Sequence, residues 1–402
     1  MRAASLLIGL SLAAGCAAND GGGGADGGDG DAAVATDAAI DANPCPRPLA
    51  PADRPRVVVM SLPYTAAGGQ ASTWARWTLD GAGELRDSGE RFTMGRATTG
   101  RVAFTPDGAV GLAPQSDGSL GVFRIVDGHI EVVHARFAGD FYADDVVIAP
   151  DGASAWIVDG NWANNGGGVY QVDIGCDGTL TERPRWFTSK LAAGLHVRGG
   201  RALVPAAEIG AGSPAGEDVH LLDWTTDPPT RLGGVDAFGD DLAIAAGSAV
   251  TDDGKFALIG DNSEFSGLPN RIAVVAIGAA RLQPTTVLTP VKDPVAIVAS
   301  PFDDAALIVS GYDNALLRLD YTPGAATPFA GLRALAYSGA RPQLPGDAVR
   351  IDRGALRGLV LVVENTGVRR VRFAGGGVIT DLGKTSTGTG TAAIPGAIGV
   401  QP

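Results

Sequence analysis

The chain has 402 residues, of which 45% are hydrophobic, 19% are charged and 59 are glycine. Its size and apolar content suit one large globular domain or two ordinary ones. The formal net charge of −13 argues against nucleic acid as a partner, because binding to phosphates depends on clustered lysine and arginine. Glycine at about twice its usual frequency of roughly 7% favours turn-rich β-structure over helices.

The first residues form a targeting segment. Arg2 supplies a positive charge, and Ala3–Ala14 form an apolar stretch that is too short to span a bilayer as a mature helix. The segment ends in Ala13-Ala14-Gly15-Cys16. These residues resemble the lipobox of bacterial lipoproteins, with Ala13 where leucine is usual. The resemblance implies a signal peptide over residues 1–15 and an acylated Cys16. An ordinary signal peptide with a chance cysteine is the alternative.

Residues 16–44 consist mostly of glycine, alanine and aspartate and include no basic residue. Such a segment buries too little apolar surface to fold, so we expect a disordered tether before a folded domain at residues 45–402. Acyl chains on Cys16 make the membrane a partner, and we expect an exported protein that is lipid-anchored in the bacterial cell envelope. Ala17 and Ala18 replace the aspartate that favours inner-membrane retention, which points to the outer membrane.

Two cysteines remain in the folded part, Cys45 and Cys176. An even pair in an oxidising compartment favours a disulfide, and their spacing does not match a metal site. Two separate thiols are the alternative.

From residue 56 onward, short β-rich runs alternate with tight turns in a repeat of about fifty residues. Each unit contains a strand, a turn, a second apolar strand, a polar loop, a third strand and usually a more polar fourth strand. The first turns fall, in steps of 44 to 54 residues, at Gly108, Gly152, Gly200, Gly254, Asp304 and Gly354. This period predicts an all-β fold, a β-propeller of four-stranded blades. A sandwich of irregular hairpins is the alternative.

The two ends of the repeat complement each other. RVVVMSLPY at residues 56–64 corresponds to a second strand with no first strand before it. AAIPGAIGVQP at residues 392–402 corresponds to a first strand. The C-terminal strand is therefore predicted to join the first blade and close a ring of seven blades, which removes the open sheet edges.

The phrase PVAIVASPFDDAALIVS at residues 294–310, with relatives at 145–159 and 248–262, resembles the YVTN/lactonase-like seven-bladed propellers. The resemblance covers residues 56–402. It implies that the first turns of all units lie on one face of the ring, the turn face. The loops between second and third strands then lie on the opposite face, the loop face. It also implies that Cys176 and the chain from Cys45 meet on the turn face.

Acidic residues recur near the ends of the second strands, at Asp159, Glu208, Asp261, Asp313 and Glu364. Amide and aromatic side chains accompany them on the predicted loop face, at Asn161, Trp162, Asn262, Tyr312 and Asn365. Three further carboxylates stand where first strands begin, at Asp144, Asp145 and Asp347. One interpretation is turn capping. The other is a ring of oxygen ligands at the channel mouth for Ca²⁺, a cation or a sugar-like ligand.

No HExxH, GxSxG or CxxCH motif occurs, and His196 is predicted to stand alone in a first strand. We therefore expect a binding module whose loop face takes a protein, glycan or small-molecule ligand. The alternative, which the resemblance implies, is a lactonase-like or other metal-assisted hydrolase at the central channel. In that case the acidic residues and His196 supply the acid–base groups. A purely structural envelope role is a third possibility.

Overall fold

The computed structural model describes residue 45 and residues 47–160, 167–189, 192–206, 217–239, 245–261, 271–289, 291–387 and 395–402. All of these residues belong to one compact unit. The predictions for Cys16, Asn161, Trp162, Glu208 and Asn262 concern positions outside these ranges.

Antiparallel four-stranded sheets, the blades, are the building units of the fold. The first blade combines the last strand of the chain with three early ones, in the order β29 (Ile398–Val400), β1 (Arg56–Tyr64), β2 (Gln70–Leu79) and β3 (Leu85–Thr93). The second contains β4 (Ala103–Phe104), β5 (Val110–Pro114), β6 (Leu120–Val126) and β7 (His129–Phe137). The third contains β8 (Ala143–Ile148), β9 (Ser154–Asp159), β10 (Gly168–Ile174) and β11 (Leu180–Glu182), and the short β12 (Phe187–Thr188) also pairs with β10.

Four more blades follow in chain order. The fourth contains β13 (His196–Arg198), β14 (Arg201–Pro205), β15 (Val219–Asp223) and β16 (Thr230–Val235). The fifth contains β17 (Ala245–Val250), β18 (Phe256–Asp261), β19 (Arg271–Ile277) and β20 (Leu282–Leu288). The sixth contains β21 (Pro294–Ala299), β22 (Ala305–Ser310), β23 (Ala315–Tyr321) and β24 (Phe329–Ala334). The seventh contains β25 (Ala348–Arg350), β26 (Leu359–Glu364), β27 (Gly367–Gly375) and β28 (Val378–Ser386). The predicted seven-bladed β-propeller is thereby confirmed.

The core is divided among the interfaces between blades. Neighbouring residues of a strand point to opposite sides of its sheet. On β22, Leu307 therefore packs towards blade seven and Ile308 towards blade five. On β9, Trp156 packs towards blade four and Ile157 towards blade two. Because both sides of each blade are covered, the middle strands are continuous apolar runs rather than alternating ones.

The C-terminal strand closes the ring as predicted, with Val400 of β29 opposite Val58 of β1. A Cβ atom at Gly399 would lie 2.3 Å from the carbonyl oxygen of Val102, so glycine is what allows β29 to lie this close to blade two. Innermost strands of neighbouring blades contact each other from β25 through β29 and β4 to β8. These strands therefore line the central channel. Within the described ranges, no helix is long and apolar enough to cross a membrane.

The first turns need one residue with a left-handed backbone. Gly108 and Gly152 take this position with φ of 71° and 70°, which costs glycine little. In blade six the residue is Asp303, with φ of 53°, so the prediction of Asp304 is wrong by one position. Aspartate tolerates this region better than most residues do, and the Asp304 carboxylate instead accepts a hydrogen bond from the Ser300 hydroxyl at 2.5 Å.

The chain before β1 lies against the turn face. A disulfide joins Cys45 to Cys176, with their Cα atoms 5.4 Å apart. The Ala50 amide donates to the Pro106 carbonyl in blade two at 2.9 Å. The Asp53 carboxylate accepts from an amide of blade seven, that of Ala355, at 3.1 Å. The predicted disulfide is therefore present, and the segment before β1 meets blades two, three and seven.

Candidate functional site at the channel mouth

Three blades have a charged residue at an equivalent position near the loop face, within the first strand or just before it. Arg101, Asp145 and Asp347 each stand seven residues before the left-handed glycine of their first turn. They therefore lie at the same height in blades two, three and seven. Asp144 precedes Asp145 on β8. We call Arg101, Asp144, Asp145 and Asp347 the mouth cluster.

An ion pair joins two members of the mouth cluster. The Nη2 atom of Arg101 lies 2.5 Å from Oδ2 of Asp145, and the two side chains are 44% and 10% exposed. The carboxylate of Asp145 is the main cause that raises the pKa of Arg101, and Asp347 adds to the effect. Arg101 therefore stays protonated at the channel wall, where its side chain is partly open to solvent, although the pair with Asp145 is neutral overall.

Asp347 approaches Arg101 from the other side. Its Oδ2 atom accepts a hydrogen bond from the Gly100 amide, the residue immediately before Arg101. Burial, and to a smaller extent Asp145, raise the pKa of Asp347, whereas the Gly100 amide and Arg101 lower it. Carboxylates from blades three and seven therefore flank the single cation of the mouth cluster.

Asp144 has a strongly perturbed carboxyl group. Burial among protein atoms is the main cause that raises its pKa to about 7, and the negative charges of Asp145, Asp347 and Asp159 add to it. The side chain is nevertheless solvent-accessible, so water in the channel moderates the shift. A carboxyl group in this setting gains and loses its proton closer to neutral pH than an ordinary aspartate does.

His196 has a partner that the sequence did not reveal. Its Nε2 atom lies 2.8 Å from Oγ of Ser248 in the next blade, so the expectation that it stands alone is wrong. Burial, and next the positive charge of Arg101, lower the pKa of His196 to about 3. The imidazole is therefore neutral at physiological pH. The two residues are 52 positions apart, and no local motif connects them.

The acidic residues that end second strands are held within their own blades. Asp159, Asp261 and Glu364 are buried. The Tyr142 amide donates to Asp159 at 3.0 Å. Arg271 donates to Asp261 at 2.8 Å, and Arg369 donates to both Glu364 oxygens at 3.2 Å. The contact of Asp159 with a backbone amide is of the turn-capping kind, whereas Asp261 and Glu364 form ion pairs with arginines of the neighbouring strand.

The other predicted loop-face residues are more open. The Asp313 carboxylate lies 3.7 Å from the ammonium of Lys292. Tyr312 is 51% exposed. Asn365 is half-buried and donates its backbone amide to the Gln343 carbonyl at 2.8 Å. Asp313 and Tyr312 lie beyond β22 in blade six and Asn365 lies beyond β26 in blade seven, so a ligand on this side of the loop face could touch both blades.

The metal hypothesis assigned Ca²⁺ to Asp144, Asp145 and Asp347. In the part of the chain that the structure describes, no group of three or more histidine, cysteine, aspartate or glutamate side chains is arranged to hold a metal ion. Oxygens of Asp145 and Asp347 accept hydrogen bonds from Arg101 and from the Gly100 amide. The proposed Ca²⁺ site stays a prediction.

No protein-family model matches this chain, and no curated protein matches its sequence. Solved structures are similar in fold. A protein from Lactobacillus plantarum has a TM-score of 0.63 at 13% identity, over 87% of this chain and 100% of its own. The periplasmic gluconolactonase of Pseudomonas aeruginosa has a TM-score of 0.59 at 15% identity, over 87% of this chain and 99% of its own.

A third similar structure is a hypothetical selenium-binding protein from Sulfolobus tokodaii. Its TM-score is 0.61 at 11% identity, over 87% of this chain and 93% of its own. Proteins with such different names share the fold, and at these identities the similarity extends to the fold alone.

Proposed function

We propose that this chain is a lactonase-like hydrolase that opens cyclic esters of hydroxy acids at the channel mouth. The observation that carries the proposal is the mouth cluster, in which burial and neighbouring carboxylates raise the pKa of Asp144 to about 7 and blade two supplies the guanidinium of Arg101, paired with the adjacent Asp145. Ester hydrolysis needs a base for water and a positive charge for the developing oxyanion. The fold similarity to a periplasmic gluconolactonase agrees with this chemistry.

Asp144 is the proposed general base. It takes a proton from water as the water oxygen bonds to the lactone carbonyl carbon, and the carbonyl oxygen becomes an oxyanion. The ring C–O bond then breaks, the carbonyl reforms, and protonated Asp144 returns the proton to the leaving alkoxide. A pKa near neutral pH suits both transfers, because the group must accept and then donate the same proton.

Arg101 is the proposed electrostatic partner of the oxyanion. A guanidinium group has five N–H donors, and the contact with Asp145 engages only part of them. Asp145 holds the arginine in an ion pair, and the negative charge of Asp347 acts on it through space, so that its charge is in place before the substrate arrives. A preorganised charge stabilises the oxyanion more than a flexible charge does, because it needs no rearrangement during the reaction.

His196 and Ser248 offer a competing arrangement, in which the serine is the nucleophile. We favour Asp144 because a histidine with a pKa of about 3 is a weak base at neutral pH. Hydrolysis of D-glucono-1,5-lactone tests the proposal. D144N should lower kcat by about 10²- to 10⁴-fold, whereas S248A should change it little. D313N, which removes a carboxylate elsewhere on the loop face, is the matched control. If S248A lowers kcat and D144N does not, Ser248 as nucleophile replaces Asp144 as general base in the proposed mechanism.

Binding without catalysis is the second candidate function. It is favoured by the exposed Tyr312 together with Leu344, which is 40% exposed. The Leu344 amide donates to Asn314 of the same loop region at 2.6 Å. Exposed aromatic and apolar side chains on one loop region suit the face of a sugar ring. Under this function Y312A weakens sugar binding measured by calorimetry, and no lactone is hydrolysed by the unmodified protein.

We further propose that the propeller is exported and held at a bacterial membrane, in the outer membrane, by acyl chains on Cys16. The disulfide between Cys45 and Cys176 supports an oxidising compartment. Metabolic labelling with a radioactive fatty acid tests the anchor. The label should appear in the intact protein and disappear in C16S, which should be found in the soluble fraction. Unlabelled native protein would favour the ordinary signal peptide.

A further inference from the structure

A groove opens on the turn face between blades one and two. Its volume is about 400 Å³, which lies in the range of small-molecule sites. Its polar lining includes Arg54, Arg56, Arg76 and Thr78, together with one carboxylate, that of Asp107, which is paired with Arg47. We propose that this groove binds the phosphate group of a small phosphorylated ligand or of a lipid headgroup.

Arg56 is the strongest reason for an anionic ligand. Its residue is only 2% exposed, and its guanidinium donates to three carbonyl oxygens, those of Gln401, Ala52 and Arg353, at 2.8 to 3.1 Å. Within the described ranges, no carboxylate forms an ion pair with it and nothing accepts a hydrogen bond from its Nε atom. The carboxylates of Asp53 and Asp352 act on this cation only through space. Burying a cation without an anion in contact with it is costly, and an anion in the groove would offset that cost.

Neighbouring arginines increase the positive charge. Among the residues that the structure describes, the Nη2 atom of Arg54 has one hydrogen bond, a long one of 3.4 Å to the backbone oxygen of Asp107. After burial, the positive charges of Arg353 and Arg54 are the next causes that lower the pKa of Arg56, and Asp53 and Asp352 offset them in part. The overall net charge of the protein is −13, so a groove lined by three arginines stands out even though acidic residues lie near them.

The remaining lining residues suit an oxyanion. Arg76 projects from β2 and shares its guanidinium with Glu90 at 3.4 Å. Thr78, two residues further along the same strand, adds a hydroxyl group to the lining. Guanidinium groups match the spacing of phosphate oxygens and bind them in pairs. Several of them favour a doubly charged phosphate monoester over a singly charged carboxylate, because the Coulomb attraction grows with charge.

The groove is separate from the proposed catalytic site. Its lining includes Gly108, the left-handed glycine of a first turn, whereas Arg101 stands seven residues earlier, near the loop face. A ligand in the groove therefore leaves the mouth cluster open. If the protein hydrolyses no lactone, the proposal of a phosphate site still stands. If the groove binds no phosphate, the proposed hydrolase is unaffected.

Isothermal titration at constant ionic strength tests the proposal with inorganic phosphate and glycerol 1-phosphate as probes. We expect saturable binding to the native protein. The dissociation constants of R54Q and R76Q should be at least about tenfold higher, since each variant loses a charge-assisted contact. R183Q is the matched control, because Arg183 is an exposed arginine paired with Asp173 in blade three. Thermal melts without ligand establish that each variant is folded. If only one of R54Q and R76Q folds, that variant alone is compared with R183Q.

Vesicles distinguish the two sources of phosphate. Phosphatidic acid has a phosphate monoester as its headgroup. Co-sedimentation of the native protein with phosphatidic acid vesicles that is lost in R54Q and R76Q, without binding of the soluble probes, assigns the groove to a lipid headgroup. Binding of the soluble probes assigns it to a small phosphorylated molecule. The proposal is overturned if neither the soluble probes nor the vesicles bind, or if R54Q and R76Q bind as tightly as R183Q does.

Discussion

Arg101 of blade two and Asp145 of blade three form an ion pair of 2.5 Å at equivalent positions in their blades. The pair crosses the interface between the two innermost strands that enclose the mouth of the channel. Asp347, at the same position in blade seven, completes the arrangement from the other side through the Gly100 amide. The mouth cluster is therefore a feature of the ring rather than of any one repeat.

Removal of Arg101 should destabilise the protein. R101Q leaves the carboxylate of Asp145, which is only 10% exposed, without its cation. We expect a loss of about 1–2 kcal/mol in the free energy of unfolding, a moderate value because the arginine itself is partly in solvent. Urea denaturation measures it. R101Q/D145N should recover most of the loss, and an equal loss in both variants would show that the pair does not couple the blades.

The closure of the ring by β29 should depend on Gly399. G399A places a Cβ atom 2.3 Å from the Val102 carbonyl oxygen, so β29 or blade two must move. We expect a loss of about 1–3 kcal/mol and a lower thermal midpoint. G233A is the control, because a Cβ atom at Gly233 meets nothing within 4 Å. Equal melting curves for G399A and G233A would contradict the tight closure.

The disulfide should stabilise the fold by restraining the unfolded chain. Cys45 and Cys176 are 131 residues apart, and a loop of this length gives up to roughly 5 kcal/mol in the chain-entropy model. We expect C176S to melt at a lower temperature than the native protein under non-reducing conditions. With a reductant present, the two melting curves should converge. Peptide mapping without reduction should recover the Cys45–Cys176 cross-link, and free thiols at both positions would contradict it.

His196 should make the protein sensitive to acid. Its folded pKa of about 3 lies below the ordinary value of about 6.5, so the unfolded chain binds more protons between these two pH values. Stability should therefore fall as the pH is lowered through this range. H196Q should lose less stability than the native protein between pH 6.5 and pH 4, measured by urea denaturation. H129Q is the control, because the His129 side chain is 77% exposed.

Much of the fold could be predicted from the sequence, because local chemistry specifies it. Apolar pairs such as Leu307 and Ile308 show that a strand is covered on both sides, and glycine in a first turn marks the left-handed position. The turn of blade six was misplaced by one residue because an aspartate, Asp303, takes that position and a second aspartate follows it. The closing strand was predictable because the first unit lacks one strand and the end of the chain provides it.

The site was harder to predict, because it depends on which residues meet across blades. The sequence indicated three candidate carboxylates at the start of first strands, those of Asp144, Asp145 and Asp347. Arg101 did not, since a single arginine before a strand has no local signature and its partner lies 44 residues later. The buried acids Asp261 and Glu364 resemble ligand-binding residues in sequence, but arginines on the next strand of the same blade engage them.

The pH dependence of kcat/KM for the hydrolysis of D-glucono-1,5-lactone tests the central claim most directly. With Asp144 as general base, the rate should rise with pH and level off above an apparent pKa near 7, because only the ionised carboxylate accepts the proton. D144N should lose this rise together with about a hundredfold or more of the rate, while D313N keeps both. Unchanged rate and pH dependence in D144N would contradict the account.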